Sequence, residues 1–272
     1  MEGILEMKKN KLKKLSLIFL MVFISVFSYS KEDKKSQRLN YSSANKMKES
    51  DPFESFNRRI YYSNYGFDKY VFLPVVNAYK FVTPNVVQKG VKNFSRNTQM
   101  ISTTTNSLFQ FKIKKAMRSI GRFTMNSTVG LGGTVDVASS MGMPLPYEDF
   151  GLTLAHYGVK RGPFLVLPVM GPSTLRDTVG KAVDTLNPIF LDPYDAIGFL
   201  DINSAPVTLV TAVDARGAID FRYYSTGSPF EYEYIRFLYV RYRDIQEKAS
   251  KKPDIIHTRS KSTQGNENKI QK

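Results

Sequence analysis

Apolar residues recur at helical spacing along most of the chain. Phe53, Phe56, Ile60, Phe67 and Val71 follow at intervals of 3, 4, 7 and 4, which puts them on one stripe of a helix. Ile113, Ala116, Met117, Ile120 and Thr124 form a second stripe, with Lys112, Lys114, Lys115, Arg118 and Arg122 on the other side. Val207, Val210, Val213 and Phe221 predict a helix over about 205–224, and Phe230, Tyr234, Phe237, Leu238, Tyr242 and Ile245 predict the last one. The start signals agree. Asp51-Pro52-Phe53-Glu54 and Ser228-Pro229-Phe230-Glu231 each offer an N-cap, a proline at the first helical position and a glutamate at the third, and Thr83-Pro84 is a further cap. Strand-like alternation is scarce. The best extended segment is 159–169, where Gly162-Pro163 interrupts helix and Phe164 to Pro168 is too short for one. The expected fold is all-α, with a short hairpin or extended segment near 159–169.

The ends follow another grammar. Residues 8–14 are rich in lysine, Leu15 to Phe27 is apolar except for Ser16 and Ser25, and Ser28-Tyr29-Ser30 offers a small-x-small site. That layout is a cleavable secretory signal over 1–30, the alternative being an uncleaved N-terminal anchor. No later segment approaches the roughly 18 apolar residues of a spanning helix. Residues 31–50 are polar and aperiodic and read as a disordered tether, 51–249 as one folded domain, and 250–272 as a disordered basic tail.

Composition narrows the chemistry. The chain holds 19 Phe and 16 Tyr but no Trp, a content that suits either a packed core or a membrane interface. Net charge is +15, yet residues 51–249 hold 22 Lys and Arg against 17 Asp and Glu, so most of the excess lies in the ends. That distribution argues against nucleic acid and suits anionic lipid head groups. Without cysteine there are no disulfides, thiolate metal sites or cysteine nucleophiles. Two histidines, His156 and His257, give no zinc motif, and no G-x-S-x-G elbow is present. Gly130-Leu131-Gly132-Gly133 lacks the Lys-Ser/Thr of a phosphate loop and reads as a turn needing positive φ or close backbone approach. The expectation is a non-enzyme without cofactor or metal, a lipid hydrolase using His156 being the catalytic alternative.

Several motifs then fall into one order. Asp51-Pro52-Phe53-Glu54-Ser55-Phe56-Asn57-Arg58 is followed by Asn93-Phe94-x-x-Asn97, by Arg122-Phe123-x-x-Asn126 with Gly130 to Gly133 and Asp136-Val137-Ala138, and by Glu148-x-Phe150-Gly151-x-Thr153-Leu154-x-His156-Tyr157-Gly158. Leu167-Pro168-x-x-Gly171-Pro172-Ser173-x-x-Arg176-Asp177-x-x-Gly180 completes the series. Together they resemble the MlaA/VacJ family of outer-membrane lipid-asymmetry proteins. The resemblance implies a compact ring-like bundle of amphipathic helices embedded at the periplasmic face of the outer membrane. It further implies a polar channel that removes mislocalised phospholipid from the outer leaflet, an outer-membrane porin as neighbour, and a soluble periplasmic carrier feeding an inner-membrane ABC transporter. The alternative is a porin-associated assembly protein without lipid flux. Taken alone, the 112–124 helix reads as an ordinary surface helix; with the resemblance it reads as interfacial.

Two departures stand out. The family's lipobox cysteine is absent, so cysteine acylation is excluded, and Lys160-Arg161 occupies a turn where relatives tend to carry smaller or neutral residues. The candidate channel or gate residues are Asn57, Arg58, Asn126, Gly130, Gly132, Gly133, Lys160 and Arg161, with helix capping and turn geometry as the alternative reading of each matched motif residue. Arg176-Asp177, after the cap candidate Ser173, reads as an ion pair.

Overall fold

The computed structural model describes residues 51–224 and 227–251, the side chains of 188–190 apart; the signal, the tether and nearly all of the basic tail lie outside the described residues. Two units form among the described residues, one from residues 51–84, 161–178 and 192–239, the other from 85–160, 179–191 and 240–251.

In the first unit, α1 (Glu54–Phe67) runs through a π-helical turn (Asp68–Phe72) into α2 (Leu73–Val82). Pro74 explains the widening. It has no N–H for the carbonyl four residues back, and its ring crowds that carbonyl. The Leu73 N–H instead reaches the Asp68 carbonyl, five residues back. The turn is fixed from outside by Arg216, whose Nε and Nη2 meet the two Asp68 oxygens at 2.6 and 2.8 Å. Arg216 stands at the end of α9 (Ala205–Gly217). This helix stops seven residues short of the expected 224, and Phe221 lies in the loop after it.

The extended segment resolves as a hairpin, β1 (Phe164–Leu167) and β2 (Gly171–Thr174), antiparallel with Phe164 opposite Thr174 and Leu167 opposite Gly171. The second strand was not visible in the sequence, because Pro172 argues against a strand interior; in a two-stranded ribbon its missing N–H falls on an edge. Ser173 therefore sits in β2, and it is the Thr174 hydroxyl that accepts from the Asp177 amide at the start of α7 (Leu175–Phe190).

Helix α1 holds this hairpin through two amides. Asn57 donates to the Phe164 carbonyl (3.0 Å) and accepts from the Val166 N–H (2.9 Å). Asn64, two turns on, donates to the Leu167 carbonyl (2.9 Å) and accepts from the Val169 N–H (2.8 Å). Each side chain does for the edge of β1 what a neighbouring strand would do. Val169 has φ of 65°, a costly conformation for a β-branched residue, and the Asn64 bond helps hold it. The apolar core of the unit is small and aromatic: Ile60, Tyr61, Phe164, Val166 and Tyr232. Tyr232 belongs to α10 (Glu231–Lys251), whose start the Ser228 hydroxyl supports by accepting from the Phe230 N–H. Asp51 caps nothing with its carboxylate. It accepts from Asn57, Tyr232 and Arg236 instead.

In the second unit α3 (Asn85–Phe109) packs along α4 (Ile113–Thr128). Two short helices follow, α5 (Val137–Ser140) and α6 (Phe150–His156). Asp149 caps α6 by accepting from the Leu152 N–H at 2.7 Å. Gly180 of α7 lies against α6 so closely that a Cβ there would stand 2.4 Å from the Gly151 nitrogen. Helix α10 runs to Lys251, two residues into the stretch read as tail, and Ser250 is buried. The short helix α8 (Pro193–Ala196) belongs to the first unit and is capped by Asp192.

Most residues of the apolar stripes face outward. Of the first stripe only Ile60 is buried, while Phe53, Phe56, Phe67 and Val71 are exposed, and α1 turns Asn57 and Asn64 inward. All six apolar residues of the α10 stripe are exposed.

Two substitutions test this packing by equilibrium unfolding. Asn57→Ala orphans a buried carbonyl and a buried N–H and should cost about 3 kcal/mol. Gly180→Ala forces backbone apart and should cost about 1–3 kcal/mol. A change near zero in either case would show that the close approach is not maintained.

Candidate functional site

The inward line of α3 is polar. Asn97, Thr103, Asn106 and Ser107 recur at three- and four-residue spacing with Met100 among them, and all are buried, as is Gln110 just past the helix end. Helix α4 answers with Ala116, Ser119, Arg122 and Asn126, while Ile113, Met117 and Ile120 are exposed, Met117 at 60%. Three carboxylates organise this polar interior.

Asp184 of α7 accepts from the Ser102 hydroxyl (2.6 Å), the Asn106 amide (2.7 Å) and the Phe150 N–H (2.8 Å). Burial pushes its pKa above the ordinary 3.8 despite these donors. Asn106 also accepts from Thr153, and Thr153 from Gln110.

Glu148 is the second. Lys112 and Lys115 both reach its Oε1, at 2.9 and 2.5 Å, and Ser250 and Gln110 complete its shell. Burial alone would raise the Glu148 pKa, but the lysine hydrogen bonds and charges outweigh it and hold the carboxyl below 4.5. Burial lowers the pKa of Lys112; its bond to Glu148 opposes that fall and the charge of Lys115 adds to it.

Asp136 is the third. Arg122, 1% exposed, donates to both Asp136 oxygens (2.8 and 3.1 Å), to the Ser139 hydroxyl and to the Met143 carbonyl. Asn126 donates to Asp136 (3.1 Å) and accepts from the Ala138 N–H (2.9 Å). Between these anchors runs the glycine turn. A Cβ on Gly130 would stand 2.2 Å from the Val135 carbonyl, and Gly132 and Gly133 take φ of 68° and 92°. Burial works against Asp136, but bonds from Ser139 and Asn126 and the charge of Arg122 keep its pKa below 3.8.

The predicted residues thus separate. Asn57 is wholly buried, and both ends of its amide are engaged by the hairpin. Arg58 is part-exposed, paired with Glu54 (2.8 Å) and Glu233, and lies over the Tyr232 ring at 4.4 Å. Asn126, Gly130, Gly132 and Gly133 come together around Asp136. Lys160 is exposed in the loop before β1; Arg161 is half-buried, its carbonyl accepting from the Arg176 N–H. Arg176 and Asp177 do form a buried ion pair, and Tyr239 donates to Asp177. His156 is exposed, edge-on to Tyr157. Gln110, Glu148 and Asp184, none of them a candidate site residue in the sequence, organise this interior. A signal existed in the Asn/Thr/Ser-rich line of α3, whose spacing repeats as regularly as the apolar stripe.

The Arg122–Asp136 pair makes a prediction. Asp136→Ala leaves a buried guanidinium without its counter-charge and should cost about 3–5 kcal/mol at neutral pH. Because the folded-state pKa of Asp136 is depressed, its contribution is present above 3.8 and is lost as pH falls through the lower folded value. The stability gap between wild type and Asp136→Ala should therefore narrow on acidification, and a gap independent of pH would contradict the assignment.

Comparisons with known proteins agree with this architecture. An intermembrane phospholipid transport system lipoprotein MlaA from Shigella flexneri is 37% identical over 144 residues, which is 52% of this chain and 57% of that protein. Its counterpart from Escherichia coli is 36% identical over the same length, and an uncharacterized protein of Rickettsia felis is 39% identical over 141 residues, 51% of this chain and 56% of that one. The chain thus spans somewhat more than half the length of these relatives. A solved structure from work on the structural basis for maintenance of bacterial outer membrane lipid asymmetry matches with a TM-score of 0.60 at 31% identity, covering 73% of this chain and all of that one. The family model of the MlaA lipoprotein matches residues 49–246, and this chain belongs to that family.

Proposed function

We propose that this chain is the outer-membrane component of an intermembrane phospholipid transport system, taking mislocalised phospholipid from the outer leaflet along a polar route and passing it to a soluble periplasmic carrier. The observation that carries the reading is the inverted amphipathicity of α4, shared in part by α3 and α10: Ser119, Arg122 and Asn126 of α4 are buried, while Ile113, Met117 and Ile120 are exposed. In water that arrangement leaves large apolar side chains unburied, which is unfavourable. Against acyl chains it is the favourable one. Among the described residues no helix is long and apolar enough to cross a membrane, which suits helices lying in one leaflet. The names of the Shigella flexneri and Escherichia coli relatives support the phospholipid cargo.

A head group needs polar surroundings while its acyl chains keep apolar ones, so transfer asks for no covalent step. Exposed Lys160 and half-buried Arg161 are the cations this chain adds beside β1, and they would hold the passing phosphate. A porin is the expected neighbour and an inner-membrane ABC transporter the final acceptor. With no cysteine in the sequence to carry an acyl chain, the reading assigns membrane retention to the apolar helix faces.

Two measurements test it. Protein retained in the outer membrane through salt and carbonate washes is expected; release by salt would remove the embedded reading. Cells without the chain should accumulate outer-leaflet phospholipid, and Lys160→Ala/Arg161→Ala should restore less than wild type. Normal outer-leaflet composition in the null strain, with no lipid co-purifying, would favour a porin-assembly role.

A further inference from the structure

The turn between α3 and α4 carries a combination that the protein's own packing does not explain. Helix α3 ends with the Lys112 N–H on the Ser107 carbonyl (2.8 Å) and Phe111 at φ of 56°. That is the left-handed closing position where helices ordinarily place glycine. Here it holds a phenylalanine, which is 80% exposed. Leu108, Phe109 and Ile113 around it are exposed as well. The residue thus meets an unfavourable backbone conformation and an unfavourable solvent contact together, and neither is offset by burial within the chain.

The next residue, Lys112, belongs to the Glu148 cluster. Two ammonium groups share one carboxylate oxygen, so the cluster keeps a surplus positive charge, and both lysine side chains remain about one-fifth exposed. Lys114 adds an exposed cation between them in sequence. Crowding of cations in a part-desolvated place is relieved by a further anion. Apolar prong and cationic base therefore ask for two different chemistries within one turn of chain, and an anionic phospholipid supplies both in one molecule.

We infer that the α3–α4 turn is a lipid-inserting prong, with Leu108, Phe109, Phe111 and Ile113 entering the hydrocarbon and Lys112, Lys114 and Lys115 receiving the phosphate of an anionic phospholipid at the membrane surface. The inference rests on the membrane reading proposed above and adds the point of entry and the lipid class.

The chain contains no tryptophan, so Phe111→Trp installs a single reporter in the full-length protein. The protein is reconstituted into phosphatidylcholine vesicles carrying either brominated phosphatidylglycerol or brominated phosphatidylcholine in the acyl chains. Quenching by both lipids is expected, with an apparent preference for phosphatidylglycerol of about fivefold, the worth of one basic residue at an anionic surface. Lys115→Gln should abolish the preference and Lys115→Arg should keep it. A reporter quenched by neither lipid overturns the prong. Equal quenching by the two lipids, unchanged by Lys115→Gln, overturns the charge recognition. Neither result depends on lipid flux. A protein that corrects outer-leaflet composition with an unquenched reporter would leave the transport reading standing without the prong; a quenched, charge-selective reporter in a protein that moves no lipid would do the reverse.

Discussion

Polar groups taken out of water must find one another, and that requirement places most elements of this chain. Asn57 and Asn64 show it in its simplest form. Each amide closes a donor and an acceptor on the edge of β1, and the two are seven residues apart because two helical turns match the advance along the hairpin. The same requirement gathers the second unit around Asp136, Glu148 and Asp184, each a carboxylate ringed by donors from several elements. Among the described residues of the first unit, apolar contact gathers a small aromatic cluster around Tyr61, Phe164 and Tyr232. Order is thus held by directional bonds, which fail singly and at high cost when one partner is removed.

A polar interior changes what the outside has to be. The apolar residues of amphipathic helices that turn their amides and charges inward are left on the outer surface. In α4 the two faces are separated by a fraction of a turn: Arg122 is buried while Met117 and Ile120 are exposed. An outer surface of this kind suits the membrane reading proposed above, in which cations lie beside the apolar side chains that anchor them.

Gly130 and Pro74 take their meaning from these bonds. Gly130 lets one turn of chain pass within contact of the Asn126 and Val135 carbonyls, so that Asp136 can return to Arg122. Pro74 opens a π-helical turn, and the displaced Asp68 becomes the seat for Arg216. A backbone irregularity in each case positions a charge for its partner.

Much of the fold was legible in the sequence. Helical periodicity and the proline-led starts located α1, α4, α9 and α10, and the ordered motifs identified the family. Less was legible of the site. Asn57 and Asn126, which read as channel candidates, have both ends of their amides bonded within the protein, and the lysines on Glu148 and the Asn106 amide on Asp184 lie more than 30 residues away, beyond the reach of local pattern. The hairpin's second strand was hidden by Pro172, and α9 ended early because nothing in the 3.6-residue period marks where packing stops. The sequence by itself determined the helices, their two-faced character and the glycine turn, since these depend on neighbours within a few residues. Only the tertiary structure decided which face turns inward. Periodicity reports that two faces differ, but the direction of burial depends on which polar groups meet across the fold.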